Sequence, residues 1–256
     1  MEALNKTLCN AARIGNVDLV HSCLQEGADV HYKSFAIDWT PLHYAVWGRN
    51  TDVVKVLVEA GAPLSAVDNG CMTPLHHAAM REYTDVTKVL LEAKASLCAV
   101  DIKGMTPLHW AAWMGATGVA KVLVEAGASL SAVTNKGMTP LHKAAGKGKT
   151  DVTKVLVETG ASLSAVDNGG MTPLHWAAWM GATGVTKVLV EAGASLSAVN
   201  NKGMTPLHKA AEKGETDVTK VLVEAGASLS AVDKLGRTPH DVAQYDLKEL
   251  LQVIIN

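Results

Sequence analysis

The chain has 256 residues, 48% of them hydrophobic, with 23 Lys and Arg against 25 Asp and Glu and a formal net charge of −2 at pH 7. That length can bury the core of one large or two ordinary domains, and the balanced charge argues against a basic phosphate reader and a disordered acidic tail. Cys9, Cys23, Cys71 and Cys98 match neither a CxxC metal knuckle nor a dense disulfide framework, which points to a reducing compartment. No apolar run has the length of a membrane-spanning helix, and the polar start MEALNKTLCNAARIGN has no signal-peptide core.

The first 34 residues carry a polar set, Lys6, Asn10, Arg13, Asn16 and Asp18, suited to the outer side of a terminal unit. Thr-Pro pairs then begin at Thr40, Thr73, Thr106, Thr139, Thr172, Thr205 and Thr238, an interval of 33 residues at every step. A fixed period of this size marks a repeat array. One unit reads GMTPLHWAAWMGATGVAKVLVEAGASLSAV from Gly104 to Val133. Thr106 caps a first helix, Pro107 suits its first turn, where a missing N–H costs nothing, and Gly115 ends it. Thr117 opens a second helix with an apolar stripe of Val119, Val122, Leu123 and Ala126, and Gly127 stops it. The loop SLSAVTNKG returns to the next unit. The last unit carries Asp241, Gln244, Asp246 and Lys248, so both ends read as finished caps with no second domain attached.

The cores TPLHYA, TPLHHA, TPLHWA, TPLHKA, TPLHWA and TPLHKA, with Gly-Ala closing most second helices, resemble the ankyrin repeat. The resemblance covers the whole chain. It implies an all-α ankyrin-repeat solenoid of helix-turn-helix units joined by β-hairpin-like loops. It also implies a single domain over 1–256, with an N-terminal cap at 1–34, six full repeats over 35–232 and a shortened C-terminal cap at 233–256. Asp38 and Cys71 replace the glycine before the Thr-Pro step, Lys94 replaces a closing glycine, and the last unit reads TPHDVAQ.

On a helical wheel Leu108, Ala111 and Ala112 share one side of the first helix, and Trp110, Trp113 and Met114 share the other. An apolar stripe is ordinarily core, but the neighbouring units hold Lys143, Gly146 and Lys147, then Lys209, Glu212 and Lys213, at these three positions. A buried site does not exchange Trp for an unpaired Lys, so these positions are expected to be open to solvent.

In the ankyrin family the first helices and hairpin tips line a concave groove in which partners bind. Carried over by position, this surface takes Arg13 and Ile14, Tyr44 and Trp47, His77, Met80 and Arg81, then Trp110, Trp113 and Met114. It continues through Lys143 and Lys147, Trp176, Trp179 and Met180, and Lys209, Glu212 and Lys213, with Trp39, Met72, Met105, Met138, Met171 and Met204 at the tips. All six tryptophans and every methionine except Met1 fall on it. Such residues are enriched at interface hot spots and adaptable binding surfaces. The expectation is a protein or peptide partner, with no nucleic acid, membrane or cofactor. A ladder of lysines laid across the indoles is the alternative account of the same stripe, and does not exclude binding.

The repeated histidines His43, His76, His109, His142, His175 and His208 lie one helix-pair layer apart, about 8 to 10 Å. Zinc needs its ligands about 2 Å from one ion, so these are read as structural groups bonding turn backbone, and the group His76, His77 and Cys71 lacks a fourth ligand. No serine or cysteine stands out from the repeat as a nucleophile would, so no catalytic or metal site is assigned. Residues 101 to 133 match 167 to 199, and 134 to 166 match 200 to 232, so a two-repeat block has been copied, by duplication or in an engineered scaffold. The retained cysteines and irregular early units favour duplication. The leading expectation is a non-enzymatic, cytoplasmic binding module, monomeric, with the nucleus as a second location and self-association as the competing role.

Overall fold

The computed structural model describes residues 1–244, 247–249 and 251; Asp246, assigned above to the C-terminal cap, lies outside them. Fifteen helices have defined bounds: α1 (Glu2–Ile14), α2 (Val17–Gln25), α3 (Pro41–Trp47), α4 (Thr51–Glu59), α5 (Pro74–Met80), α6 (Thr84–Glu92), α7 (Pro107–Met114) and α8 (Thr117–Glu125). They continue as α9 (Pro140–Ala145), α10 (Thr150–Glu158), α11 (Pro173–Trp179), α12 (Thr183–Glu191), α13 (Pro206–Lys213), α14 (Thr216–Glu224) and α15 (Pro239–Val242). No strand occurs among the described residues, so the hairpin-like loops are turns without a ladder.

The chain divides into two compact units, one of Met1–Ala111 with Ala116–Ser129 and one of Ala112–Gly115 with the described residues from Leu130 on. In the first, α1 packs on α3 and α3 on α5, while α2, α4, α6 and α8 form a second row. In the second, α9, α11, α13 and α15 form one row and α10, α12 and α14 the other.

The Thr-Pro-Leu-His core explains why each first helix starts where it does. The backbone N–H of Thr40, Thr73, Thr106, Thr139, Thr172 and Thr205 donates to Nδ1 of the histidine three residues on, at 3.1–3.2 Å. The threonine hydroxyl accepts from that histidine's own N–H, a reciprocal cap of the kind that satisfies two otherwise orphaned donors. With Nδ1 accepting, the proton sits on Nε2. It donates to the carbonyl of Met72 from His43, Met105 from His76, Met171 from His142, Met204 from His175 and Arg237 from His208, at 2.9–3.2 Å. Each of these buried rings therefore ties one repeat to the next, which is the structural role expected of them.

Leu108, Ala111 and Ala112 are buried as the wheel requires, but the second-helix stripe is shifted. Val119, Ala120 and Leu123 are the buried residues, while Val122 is half-buried and Ala126 exposed. α8 packs against α6. Asp38, Cys71 and Lys94 keep the left-handed conformation of the glycines they replace, with φ of 57°, 57° and 69°, so the turns survive at some strain.

Candidate functional site

The turn before each first helix sets the site. In the Trp-bearing repeats Asp101 and Asp167 accept through Oδ1 from two backbone N–H groups, those of Lys103 and Met105 and of Gly169 and Met171, at 2.8–2.9 Å. The second oxygen is then aimed at the first helix. Oδ2 of Asp101 accepts from Nε1 of Trp110 at 3.0 Å, and Oδ2 of Asp167 from Nε1 of Trp176 at 2.9 Å. Where the residue nine positions on is Lys143 or Lys209, the aspartate is replaced by Thr134 or Asn200, which hold the turn with their one acceptor oxygen. Sequence reasoning missed this pairing. The signal was available, since Asp alternates with Thr and Asn in step with Trp and Lys.

The indoles are consequently half-buried rather than open. Trp47 is 40% exposed, and Trp39, Trp110, Trp113, Trp176 and Trp179 are intermediate. Lysines account for part of this. Nζ of Lys143 and Lys147 lies 5.0 and 4.9 Å from the ring centre of Trp113, and Nζ of Lys209 and Lys213 lies 5.1 and 5.2 Å from that of Trp179. Cation–π attraction and burial of the lysine stems let one position hold Trp and its neighbour Lys without stranding a charge. Trp176 and Trp179 meet at 5.1 Å, and the indole N–H of Trp179 is buried with no acceptor. Met114 and Met180 lie at the exposed ends of these rows, 36% and 50% exposed.

In the first unit a second aromatic group forms around Trp39, whose ring centre lies 5.3 Å from Tyr44, 5.0 Å from Trp47 and 5.1 Å from His77. The Arg81 guanidinium sits 3.1 Å above the Trp47 ring. His77, expected on the open surface, is buried, and its Nε2 donates to Asp68 Oδ2 at 2.8 Å. Burial lowers the His77 pKa despite Asp68, while Asp68, opposed by its own burial, is held low by N–H groups of Met72 and Gly70 and by His77. Met72 and Met80 are half-buried beside this group in sequence.

Four assigned tip residues are not on the surface. Met105 is fully buried, Met138, Met171 and Met204 nearly so, and the core takes them along with Leu, Val and Ala. The Met N–H and C=O are bonded back to residue 101, 134, 167 or 200, and the side chain is buried there, whereas Met72, bonded the same way to Asp68, is half-buried. Successive turns also bond to each other, Asn168 N–H to Lys136 C=O and Asn201 N–H to Gly169 C=O at 3.0 Å, and Met171 Sδ lies 3.3 Å from Asn200 Nδ2 of the next turn.

Among the described residues no three His, Cys, Asp or Glu side chains converge as a metal site requires, and no helix is long and apolar enough to cross a membrane. His76 and His77 each take their own partners, Thr73 with the Met105 carbonyl and Asp68 respectively.

Family models agree with the repeat geometry. One described as ankyrin repeats (3 copies) matches residues 61–134 and 126–200, and others described as ankyrin repeats (many copies) match 8–58 and 189–243. The chain belongs to the ankyrin repeat family. The crystal structure of the ankyrin repeat domain of Bcl-3, a member of the IkappaB protein family, superposes with a TM-score of 0.74 at 30% identity, covering 84% of this chain and 98% of that one. Shorter stretches resemble the horse ankyrin repeat, SAM and basic leucine zipper domain-containing protein 1, 42% identical over 65 residues. That match is 25% of this chain and 14% of the relative. The human 2-5A-dependent ribonuclease is 39% identical over 67 residues, 26% of this chain and 9% of the relative. The matches thus span a small part of these longer proteins. Ankyrin repeats generally mediate protein–protein interaction, and the fold is typically non-enzymatic.

Proposed function

We propose that this chain is a non-enzymatic binding module that holds a polypeptide partner on the face formed by its first helices. The observation that carries the reading is the pairing of large indoles with lysines on that face. Trp113 and Trp179 are half-buried, each with two lysine ammoniums over its ring. They are the anchors we assign, with Trp176, Met114 and Met180 of the same unit beside them. The four core methionines are withdrawn from the contact set.

Trp113 and Trp179 stand two repeats apart, roughly 16 to 20 Å at about 8 to 10 Å per helix-pair layer. An extended segment spans that in roughly 5 to 6 residues and a helix in roughly 11 to 13, so the partner carries two bulky apolar groups at one of those separations. The indoles supply most of the affinity, and the lysines set rate and register. The cysteines are all free thiols, in keeping with a cytoplasmic site of action.

Self-association through the same face is the second reading, favoured by the exposed methionines. Sedimentation across a concentration series separates the two. A monomer at micromolar concentration supports the module; a concentration-dependent dimer abolished by Trp113→Ala with Trp179→Ala supports the structural role.

A further inference from the structure

The first turn departs from the repeat. In the second repeat the Asp68 N–H donates to the Met72 carbonyl and the Met72 N–H returns to Asp68 Oδ1, and the turns at Asp101, Thr134, Asp167, Asn200 and Asp233 close in the same way, four residues on. The first turn closes five residues on, from the Ser34 N–H to the Trp39 carbonyl and from the Trp39 N–H to Ser34 Oγ. Counted back from the Thr-Pro pair, Phe35 stands where the others have Asp, Thr or Asn. Its side chain is fully exposed, and Ile37 of the same turn is exposed too. The substitution leaves a donor without its acceptor. Asp68 accepts from His77, Asp101 from Trp110 and Asp167 from Trp176. Tyr44 holds that place in the first repeat, and Phe35 offers it no oxygen. Among the described residues the Tyr44 hydroxyl has no hydrogen-bond partner.

Tyr44 lines a cleft of about 380 Å³ in the first unit, together with residues of α1 and of the turn at 32–36, Phe35 among them. That volume is in the range of ligand sites. Two cations line it. Lys6 is paired with Glu2, also of the cleft, at 2.7 Å. Arg13 is exposed, donates to Asn10 Oδ1 at 3.1 Å and enters no ion pair among the described residues. Burial pushes the thiol of Cys9, a further lining residue, up to about 12, so it stays protonated and supplies no nucleophile.

We propose that this cleft takes a carboxylate side chain of a polypeptide, held by the Arg13 guanidinium and the Tyr44 hydroxyl, with Phe35 covering an apolar residue next to it. The ligand supplies the acceptor that a turn aspartate supplies to His77, Trp110 and Trp176. This site goes beyond the indole face assigned above and does not depend on it. With Lys6 committed to Glu2, the cleft has one cation to spare, which matches a single carboxylate and not the run of charges along a nucleic acid. A small carboxylate confined to the cleft would leave Phe35 and Ile37 in water, and a polypeptide covers them.

The test uses the full chain and fluorescence anisotropy with the labelled peptide Gly-Ser-Leu-Glu-Leu-Ser-Gly, its Gln-for-Glu counterpart and a labelled oligo-dT. The Glu peptide is expected to bind about tenfold more tightly than the Gln peptide, a preference of the size one hydrogen bond to a charged group supplies. Arg13→Gln and Tyr44→Phe should each reduce the preference, and circular dichroism confirms that these surface variants fold. Phe35→Ala should weaken both peptides alike, while Phe35→Asp, which puts a carboxylate on the cleft itself, should remove the preference. Glutarate at the peptide's own concentration should not displace it. Equal affinity for the two peptides, binding of neither, tighter binding of oligo-dT, or displacement by glutarate overturns the proposal. Where Trp113→Ala with Trp179→Ala abolishes binding and Arg13→Gln does not, the cleft falls and the indole face stands. Where the preference survives that double variant and is lost with Arg13→Gln, the cleft stands by itself.

Discussion

Asp167 accepts a hydrogen bond from the indole of Trp176 through one carboxylate oxygen and holds its own turn through the other. Asp167→Asn keeps the turn acceptor and removes the one that faces the indole. We expect it to destabilise the chain by about 1 to 2 kcal/mol in urea melts, the range for a hydrogen bond to a charged group at a partly buried site. In a double-mutant cycle with Trp176→Phe most of that loss should disappear, because the variant ring has no N–H to strand. Full additivity would show that the bond contributes nothing.

The second helices of the two Trp-Trp repeats begin Thr117-Gly118 and Thr183-Gly184, where four other repeats have Thr-Asp. Acidic residues in a first helical turn are worth about 0.3 to 1 kcal/mol, and glycine costs backbone entropy there. A Cβ at Gly118 would lie 2.8 Å from Thr84 Oγ1, and one at Gly184 2.7 Å from Thr150 Oγ1. The chain already seats Asp85 one repeat after Thr51 and Asp217 one repeat after Thr183, so rotation of the threonine relieves the contact. Gly118→Asp and Gly184→Asp should each raise the denaturant midpoint; a fall would mean the hydroxyl cannot turn away.

Lys94 closes its second helix with φ of 69°, where the other full repeats have glycine. An L side chain in that region costs about 1 kcal/mol or more. Lys94→Gly should stabilise the chain by about that amount, and an unchanged melting temperature would contradict it.

Burial lowers the pKa of His43, His76, His77, His142 and His175, to about 4 for His43 and His175. Unfolded histidine titrates near 6.5, so between the two values the unfolded chain binds more protons and stability falls as pH falls. The contribution is complete above about pH 6.5 and is lost progressively toward pH 4. Thermal melts from pH 7.5 down to 4 should show a continuous decline that steepens below 6.5. His43→Gln should flatten part of that slope even if it lowers stability at neutral pH.

Much of the fold was legible because its causes are local. Thr-Pro-x-His is a self-contained cap, and a 33-residue period states the repeat directly. The alternation of Trp110 and Trp113 with Lys143 and Lys147 led to the expectation of positions open to solvent, whereas Trp110, Trp113 and Lys143 are half-buried and Lys147 is exposed. Misplacing Met105, Met138, Met171 and Met204 came from treating a turn tip as a projection, when these four side chains are buried. The indoles were read as wetter than they are, because Lys143 was compared with Trp110 as a replacement, whereas Lys143 and Lys147 lie over Trp113 one repeat away.

The central claim is that the first-helix face, and not the row of second helices, holds the partner. A peptide selected from a display library on the full chain, titrated against face and back variants side by side, tests it most directly. Trp113→Ala and Trp179→Ala should each weaken binding by more than about 1 kcal/mol, while Glu158→Lys and Glu191→Lys, exposed on α10 and α12, should leave it unchanged. Binding that survives both tryptophan variants and is lost with the glutamate variants would contradict the account.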